Sequence, residues 1–337
     1  MVMILILRRL LAMIPTLLGL SLAIFLMVKA IPGDPAMLLL GDRADAESLA
    51  SVRADLGLDR PWYEQYGLFL KRAVVDGDLG RSIKSKEPIT TILADKFPAT
   101  IELAICAILF AMLIGIPMGL LAAIRPGSIF DVGAMSIAVV GVSMPIFWLA
   151  LMLIWLFGLL LGWLPLSGRM GIEYTYEAQT GFLLFDAMIA GEWGMFWDAV
   201  AHLVLPAIAL GTIPMAFFAR ITRGSMLEVT RSDYVRTARA KGLAFTKVYL
   251  KHAFKNAAIP ILTVLGLQFG LLLGGAIITE TVFAWPGLGR WLVESVAARD
   301  VPAIEGGVLI VAVAVVTVNL LTDLAYRVVD PRVRVSG

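Results

Sequence analysis

Few residues in this chain could catalyse a reaction. Among its 337 residues there are two histidines, His202 and His252, and no His-Glu-x-x-His run, which argues against a zinc hydrolase. No lysine follows a glycine, so the Gly-Lys-Ser/Thr core of a phosphate-binding loop is absent. We therefore expect no metal site, no cofactor and no ATPase activity in this chain; an enzyme embedded in a membrane is kept only as an alternative.

Charged residues near apolar segments are the next candidates, because a charge buried in a membrane is costly unless it pairs or contacts water. Glu280 and Glu305 are predicted at the outer ends of the last two apolar segments, where they could form a rim contact or a gate. Lys29 and Glu102 are also near segment ends, where snorkelling or local pairing explains them. No acidic residue lies at the centre of a segment, which argues against a proton-driven carrier.

These residues must be positioned by helices that cross a membrane. The composition is 59% hydrophobic and 16% charged, and the mean hydropathy is +0.87, which is typical of an integral membrane protein. A hydrocarbon core needs about 20 consecutive apolar residues to be crossed by a helix. The sequence predicts an all-α membrane protein with six transmembrane helices, over residues 10–28, 100–124, 132–161, 203–221, 259–281 and 306–326.

The basic residues predict how these helices are oriented. An even number of crossings places both termini on one side, and lysine and arginine concentrate on the cytoplasmic side of membrane proteins. Arginines precede the first predicted helix and follow the last one, and residues 220–255 form a strongly basic loop. We therefore expect both termini and this loop to be cytoplasmic.

Two of the predicted outer segments are long. Residues 31–98 are long for a connector, which indicates contact with something outside the membrane. Residues 162–198 are rich in aromatic side chains, which are typical of the membrane interface but also of docking surfaces for other proteins. Under the second interpretation Trp193, Phe196 and Trp197 would contact an external protein.

The basic loop is predicted to contain two short helices. Thr230 and Asp233 have the spacing of a weak capping box, residues 234–241 form the first helix, and Gly242 suits the left-handed residue that ends it. A second short helix is predicted over residues 245–255. Its apolar side could enter a groove of another protein. The neighbouring lysine stripe could bind a partner or anionic lipid.

Nine short stretches, in this order and spacing, carry a resemblance that spans essentially the whole chain. They cover residues 31–35, 58–66, 77–82, 97–103, 143–148, 163–168, 233–242, 280–289 and 330–334. On these stretches the chain resembles the inner-membrane permease subunits of type I ATP-binding-cassette importers, in the dipeptide and oligopeptide group. The resemblance implies a permease without ATPase activity in a bacterial inner membrane.

The resemblance also implies a role for the basic loop, which is similar to the family's "EAA" loop that contacts separate ATPase subunits. Its pattern is Glu-Ala-Ala, three residues, Gly, and a later Pro; Arg236 and Thr237 replace the Glu and first Ala, and Lys255 replaces the Pro. Within the loop, over residues 220–256, the residues implied in coupling are Arg236, Thr237, Ala238, Gly242, Leu243, Phe245, Lys247, Val248, Lys251 and His252.

The remaining expectations concern the assembly. The resemblance implies a shared five-helix domain over residues 96–326, preceded by a subgroup addition over residues 1–95 and followed by a cytoplasmic tail over residues 327–337. It implies a second permease, two ATPase subunits that bind ATP and Mg²⁺, and a periplasmic solute-binding protein. Dipeptides are the first candidate solute, before longer peptides, nickel, haem or small glycoconjugates. A self-sufficient secondary carrier or channel is the alternative.

Overall fold

The computed structural model describes residues 2–30, 37, 45–57, 59–176 and 178–329. The described part is helical, with no strand longer than an isolated bridge, which confirms the all-α prediction. The α-helices are α1 (Val2–Lys29), α2 (Ala46–Leu56), α3 (Trp62–Lys71), α4 (Ile89–Ile124), α5 (Ile129–Ser143), α6 (Ile146–Leu153), α7 (Leu183–Ala190), α8 (Trp193–Thr230), α9 (Asp233–Ala240), α10 (Phe254–Val282), α11 (Leu288–Ala297) and α12 (Val301–Val329). Three π-helical segments also occur among the described residues, at Arg72–Asp76, Ile154–Leu160 and Lys247–Ala253.

Four described helices are long and apolar enough to cross a membrane. They correspond to four of the predicted segments and cover Ile89–Ile124, Trp193–Thr230, Lys247–Val282 and Val301–Thr322. The first predicted segment lies in α1, whose residues Leu11–Met27 form a shorter apolar helix. Several of these helices extend beyond the predicted bounds because polar first and last turns continue the helical hydrogen bonding of the apolar run.

The predicted segment over residues 132–161 is apolar enough to cross a membrane as a bent pair, but the prediction of one continuous helix is wrong. The chain forms α5 and then α6 with its π-helical continuation, and the two parts are bent by 106°. The break lies at Met144 and Pro145, where Met144 is extended (φ −81°, ψ 131°). Proline has no N–H to donate and disfavours helical geometry in the residue before it, so the helix ends at Ser143.

The described chain divides into two compact units. The first contains residues 1–97 and 290–316. In it, α1 contacts α3 through the rings of Phe25 and Tyr66, whose centroids are 5.5 Å apart, and through a 2.8 Å hydrogen bond between Ser21 and Tyr66. Ile24 of α1 also packs against Ile304 of α12. Aromatic and aliphatic packing therefore holds the first helix to the other elements of this unit.

The second unit contains residues 98–289 and 317–337, and α8 is its central helix. Glycines allow close helix approach: a Cβ at Gly115 or Gly119 of α4 would collide with the carbonyls of Met215 or Ala219 of α8. Ala138 of α5 packs in a cluster with alanines of α8. Small residues let membrane helices approach closely enough for extensive van der Waals contact. This packing holds the C-terminal part of α8, which leads into the basic loop.

Candidate functional site

The basic loop begins with a tight turn at the end of α8. Ser232 is the residue before α9, and its hydroxyl donates to the carbonyl of Val229 at 2.5 Å rather than capping α9. Thr230 donates to the carbonyl of Leu227, so the predicted capping box between Thr230 and Asp233 is wrong. Both hydroxyls bond backward to carbonyls in the last turn of α8, a local contact that competes with capping of the next helix. The first helix occupies Asp233–Ala240, one residue earlier than predicted.

Gly242 adopts the left-handed conformation that the sequence predicts, with φ at +72°. Its N–H donates to the carbonyl of Arg239 at 2.9 Å, and the N–H of Leu243 donates to the carbonyl of Ala238. A Cβ built at Gly242 would meet no atom within 4 Å. Glycine is therefore favoured here by backbone conformation and not by lack of space.

The predicted second short helix is not a separate element. The π-helical segment Lys247–Ala253 continues directly into α10, so the basic segment is the beginning of a membrane-spanning helix. No glycine interrupts this stretch, and the buried Ala253 and Ala257 keep the same side of the helix against the core. Only α9 is therefore a detached short helix in this loop.

α9 and the start of α10 are held by one apolar cluster. Its members come from the ends of α4 and α8 as well as from the loop, and they are Ala123, Met226, Val235, Ala238, Val248, Tyr249, Ala253 and Ala257. Ala238 and Val248, which the resemblance implies in contact with ATPase subunits, therefore point into this chain's own interior. Leu243 packs against the same cluster. These three residues support the surface that α9 presents and do not form it.

Two polar contacts add to this packing. The guanidinium of Arg239 donates to the hydroxyl of Tyr249 at 2.8 Å and lies over its ring, 5.3 Å from the centroid. The amide of Asn256 donates to the hydroxyl of Tyr234 at 2.6 Å. The first contact joins α9 to the π-helical segment and the second joins α9 to α10, so these elements are expected to move together. Neither contact could be predicted from the sequence, because the partners are 10 and 22 residues apart and lie on different elements.

The surface of α9 and the following segment is basic and partly apolar. Arg236, Thr237, Lys247 and Lys251 are exposed, and His252 is half-buried. Phe245 is 53% exposed and stacks on the ring of Tyr249 at 4.2 Å. The ion pair between Arg236 and Asp233 is exposed on both sides and contributes little stability. The arrangement offers a rigid contact surface and no reactive constellation; among the described residues no group of three His, Cys, Asp or Glu could hold a metal ion.

The aromatic residues at the start of α8 divide into two kinds. Trp193 and Trp197 are 56% and 65% exposed. Phe196 lies between them in sequence but packs against a buried cluster of Leu183, Ala187, Met195 and Ala199. A surface role is open to the two tryptophans, whereas Phe196 holds α8 to α7.

Arg169 and Asp186, which precede α8 in the sequence, each form buried polar contacts. Arg169 donates to Glu102 at 2.7 Å and to the carbonyl of Gly181 at 2.8 Å, and both charged side chains are buried. Of the two explanations for Glu102, snorkelling or pairing, the structure shows pairing, with a partner 67 residues away in the sequence. Asp186 lies in α7, outside the membrane-spanning segments. Burial opposes its ionisation, but hydrogen bonds from Thr180, Tyr176 and the backbone outweigh burial and lower its pKa to about 2.

The two predicted rim residues lie in different environments. Glu280 is fully buried and accepts a 2.6 Å hydrogen bond from Thr100, whose hydroxyl in turn accepts from the N–H of Leu288. Gly287 lies so close that a Cβ there would collide with the Glu280 carboxylate. Within this chain Glu280 is thus part of a buried polar contact and not of an exposed rim. Glu305, in the other unit, is half-buried in the second turn of α12.

Comparison with known proteins places this architecture in a family. A family model described as "Binding-protein-dependent transport system inner membrane component" matches residues 115–335, and the model of its N-terminal part matches residues 1–104. The Dipeptide transport system permease protein DppB of Escherichia coli strain K12 is 51% identical over 333 residues, 98% of each chain. The Di/tripeptide transport system permease protein DppB of Pseudomonas aeruginosa is 48% identical over 328 residues, 97% of each chain.

A solved structure agrees at the level of the fold. A chain of the inward-facing MetNI methionine ABC transporter is 18% identical, with a TM-score of 0.52, and the match covers 72% of this chain and 99% of that chain. At that identity the likeness concerns the fold alone. The two family models and the near-full-length relatives show that the chain belongs to the inner-membrane components of binding-protein-dependent transport systems.

Proposed function

We propose that this permease moves dipeptides, and other short peptides, across the inner membrane as part of an ATP-driven importer. The observation that carries the proposal is the 51% identity over 98% of both chains with a dipeptide transport permease. A relative named for a tripeptide is also similar: the Glutathione transport system permease protein GsiC of Escherichia coli is 41% identical over 98% of both chains. These relatives are named for dipeptides, di- and tripeptides or glutathione, which supports short peptides as the solute class.

We infer the partners from two features: the loop has one detached short helix, α9, and the sequence has no phosphate-binding loop. A permease without a phosphate-binding loop needs separate ATPase subunits, which would bind ATP and Mg²⁺. We propose that a second permease completes the pathway, that two ATPase subunits contact α9 and its counterpart, and that a periplasmic solute-binding protein delivers the peptide. Residues 96–326 would form the shared domain. Both termini and the basic loop would be cytoplasmic, in line with the concentration of Lys and Arg there.

The proposed coupling is mechanical. ATP-driven closure of the ATPase subunits would carry α9 with them, and the contacts of Arg239 with Tyr249 and of Asn256 with Tyr234 would pass that motion to α10. The exposed Arg236, Thr237, Phe245, Lys247 and Lys251 would form the contact surface, while Gly242 permits the turn that follows α9. Glu305 remains a proposed gate contact of the first unit.

The test is peptide uptake. A strain that lacks this subunit should lose uptake of labelled dipeptides and regain it when the wild-type gene is supplied, with unlabelled dipeptides competing better than longer peptides. Unchanged dipeptide uptake in the deletion strain would overturn the proposal. A secondary carrier is tested separately: the purified chain alone, in liposomes without ATPase subunits, should move no peptide, and uptake by it alone would favour the carrier.

A further inference from the structure

A tight turn in the first unit, over residues 80–89, is held by several backbone hydrogen bonds. The backbone from Gly80 to Ile89 closes on itself: the N–H of Ser82 donates to the carbonyl of Glu87 at 2.9 Å, and the N–H of Ile89 donates to that of Gly80 at 3.0 Å. The turn holds Lys86 at a φ of +64°. Such a backbone is uncommon and unfavourable for a residue with a side chain. The surrounding hydrogen bonds must therefore hold this turn in one shape.

Asp300, which follows Ser82 by 218 residues in the sequence, holds the turn through hydrogen bonds. This carboxylate is only 2% exposed and accepts hydrogen bonds from the hydroxyl of Ser82 at 2.5 Å and from the N–H groups of Ile83 and Lys84 at 3.0 and 3.2 Å. It also lies at the beginning of α12 and accepts from the N–H of Ala303 at 3.4 Å. A buried carboxylate is tolerated only when its oxygens are hydrogen-bonded, so the turn and α12 support one another.

The rigid turn presents positive charge. Lys84 and Lys86 are exposed, and so is Arg299, the neighbour of Asp300 in sequence. Arg81 is also exposed and braces the turn by donating to the carbonyl of Lys86 at 3.2 Å. The negative charges nearby are the exposed Asp78 and Glu87 and the buried Asp300, so the exposed surface of the turn carries more positive than negative charge.

Shape and charge together favour a protein as the occupant. Anionic lipid attracts lysines on flexible segments, and this attraction requires no fixed backbone. A turn whose backbone is held by several hydrogen bonds is instead preorganised, which lowers the entropy lost when a partner of defined shape binds. A basic surface fits a partner that presents acidic side chains.

We propose that the turn around Lys84 and Lys86 is a docking site for an acidic surface of the external solute-binding protein. The proposal rests on the proposed function and on the outer location expected for residues 31–98. It adds a contact that is separate from Trp193 and Trp197, which belong to the other unit.

The experiment measures ATPase activity of the complete reconstituted transporter against the concentration of its solute-binding protein. Lys84→Glu and Lys86→Glu, singly and together, should raise the concentration that gives half-maximal stimulation, by roughly tenfold for the double variant. Basal ATPase activity should stay unchanged, because both side chains are exposed. Lys71→Glu, at another exposed lysine of the same outer segment, is the matched control and should have a small effect.

Variants at Lys86 separate charge from backbone shape. Lys86→Arg should behave as wild type. Lys86→Gly suits the left-handed backbone but removes the charged side chain, so it should give an intermediate shift. Lys86→Val removes the charge and opposes the backbone, so its shift should exceed that of Lys86→Gly. Equal effects of glycine and valine would overturn the claim that a fixed shape is recognised.

Three outcomes would count against the docking site. Half-maximal stimulation that is unchanged in the double lysine variant, or changed equally by Lys71→Glu, would overturn it. A shift that vanishes when anionic lipid is replaced by zwitterionic lipid would assign the turn to lipid and also overturn it. A wild-type transporter that the binding protein does not stimulate would overturn the proposed function together with this inference.

Discussion

Arg223 of α8 forms a two-point salt bridge with Asp131, which lies 92 residues earlier in the first turn of α5. The Nε and Nη2 atoms of Arg223 donate to the two carboxylate oxygens at 2.5 and 2.8 Å, and the N–H of Gly127 donates to one of the same oxygens at 2.8 Å. Asp131 is 3% exposed. The bridge joins the beginning of α5 to the last turns of α8, shortly before the loop that carries α9.

We expect Asp131→Asn to destabilise the chain, because it leaves the Arg223 guanidinium without its counter-charge. Breaking a buried pair costs about 3 to 5 kcal/mol, and the 30% exposure of Arg223 places the expected loss below that range, near 2 kcal/mol. The measurement is the thermal unfolding midpoint in detergent. Asp233→Asn is the control, since its pair with Arg236 has the same chemistry but is exposed, and it should leave the midpoint unchanged. Equal shifts in the two variants would contradict the role of burial.

Gly242→Val should uncouple ATP hydrolysis from uptake. A β-branched residue at φ +72° forces the chain after α9 to change course, while the open space around Gly242 excludes a simple steric clash. Uptake should fall severalfold or more while ATPase activity of the assembled transporter persists. Gly242→Asn, which tolerates the left-handed backbone, should recover most of the uptake. Normal uptake by Gly242→Val would remove this turn from the mechanism.

The three aromatic residues at the start of α8 should separate on mutation. Trp193→Ala and Trp197→Ala remove exposed rings, so we expect lower binding-protein-stimulated ATPase activity with unchanged basal activity and unfolding midpoint. Phe196→Ala removes a ring that packs against a buried cluster and should lower the unfolding midpoint, at a cost of about 1 to 3 kcal/mol. Equal loss of stimulated and basal activity in the tryptophan variants would indicate a structural role for them instead.

Asp186 predicts a pH dependence of stability. Its folded-state pKa, lowered from 3.8 to about 2, means that the carboxylate stabilises the fold by about 2 kcal/mol above the unfolded pKa. This contribution is lost as the pH falls from about 4 to about 2. Asp186→Asn should therefore unfold earlier than wild type at pH 7, and the difference should shrink toward pH 2. Glu192→Gln, at an exposed carboxylate, serves as the control for the loss of one negative charge. A difference for Asp186→Asn that stays constant across this pH range would contradict the prediction.

Much of the helical architecture could be predicted from local sequence. Apolar runs long enough for a bilayer predict four helices that the structure contains, because hydropathy and backbone hydrogen bonding depend on neighbouring residues alone. Gly242 was predicted for the same reason: a left-handed residue after a short helix is a local requirement. Pro145 shows where prediction from local sequence fails. Pro98, Pro117, Pro206 and Pro214 lie inside continuous helices, whereas Pro145 ends one, because packing in the bundle decides whether a missing hydrogen bond is tolerated.

By itself, then, the sequence determined that this protein is a helical membrane component with a strongly basic loop. Only the tertiary structure decided which polar residues meet: Asp131 with Arg223, Asp300 with Ser82, and Glu280 with Thr100. It also decided that Ala238 and Val248 point inward while Phe245 remains exposed. The physical reason is that composition and spacing set local hydrogen bonding and membrane affinity, whereas pairing across 92 to 218 residues depends on how the helices pack.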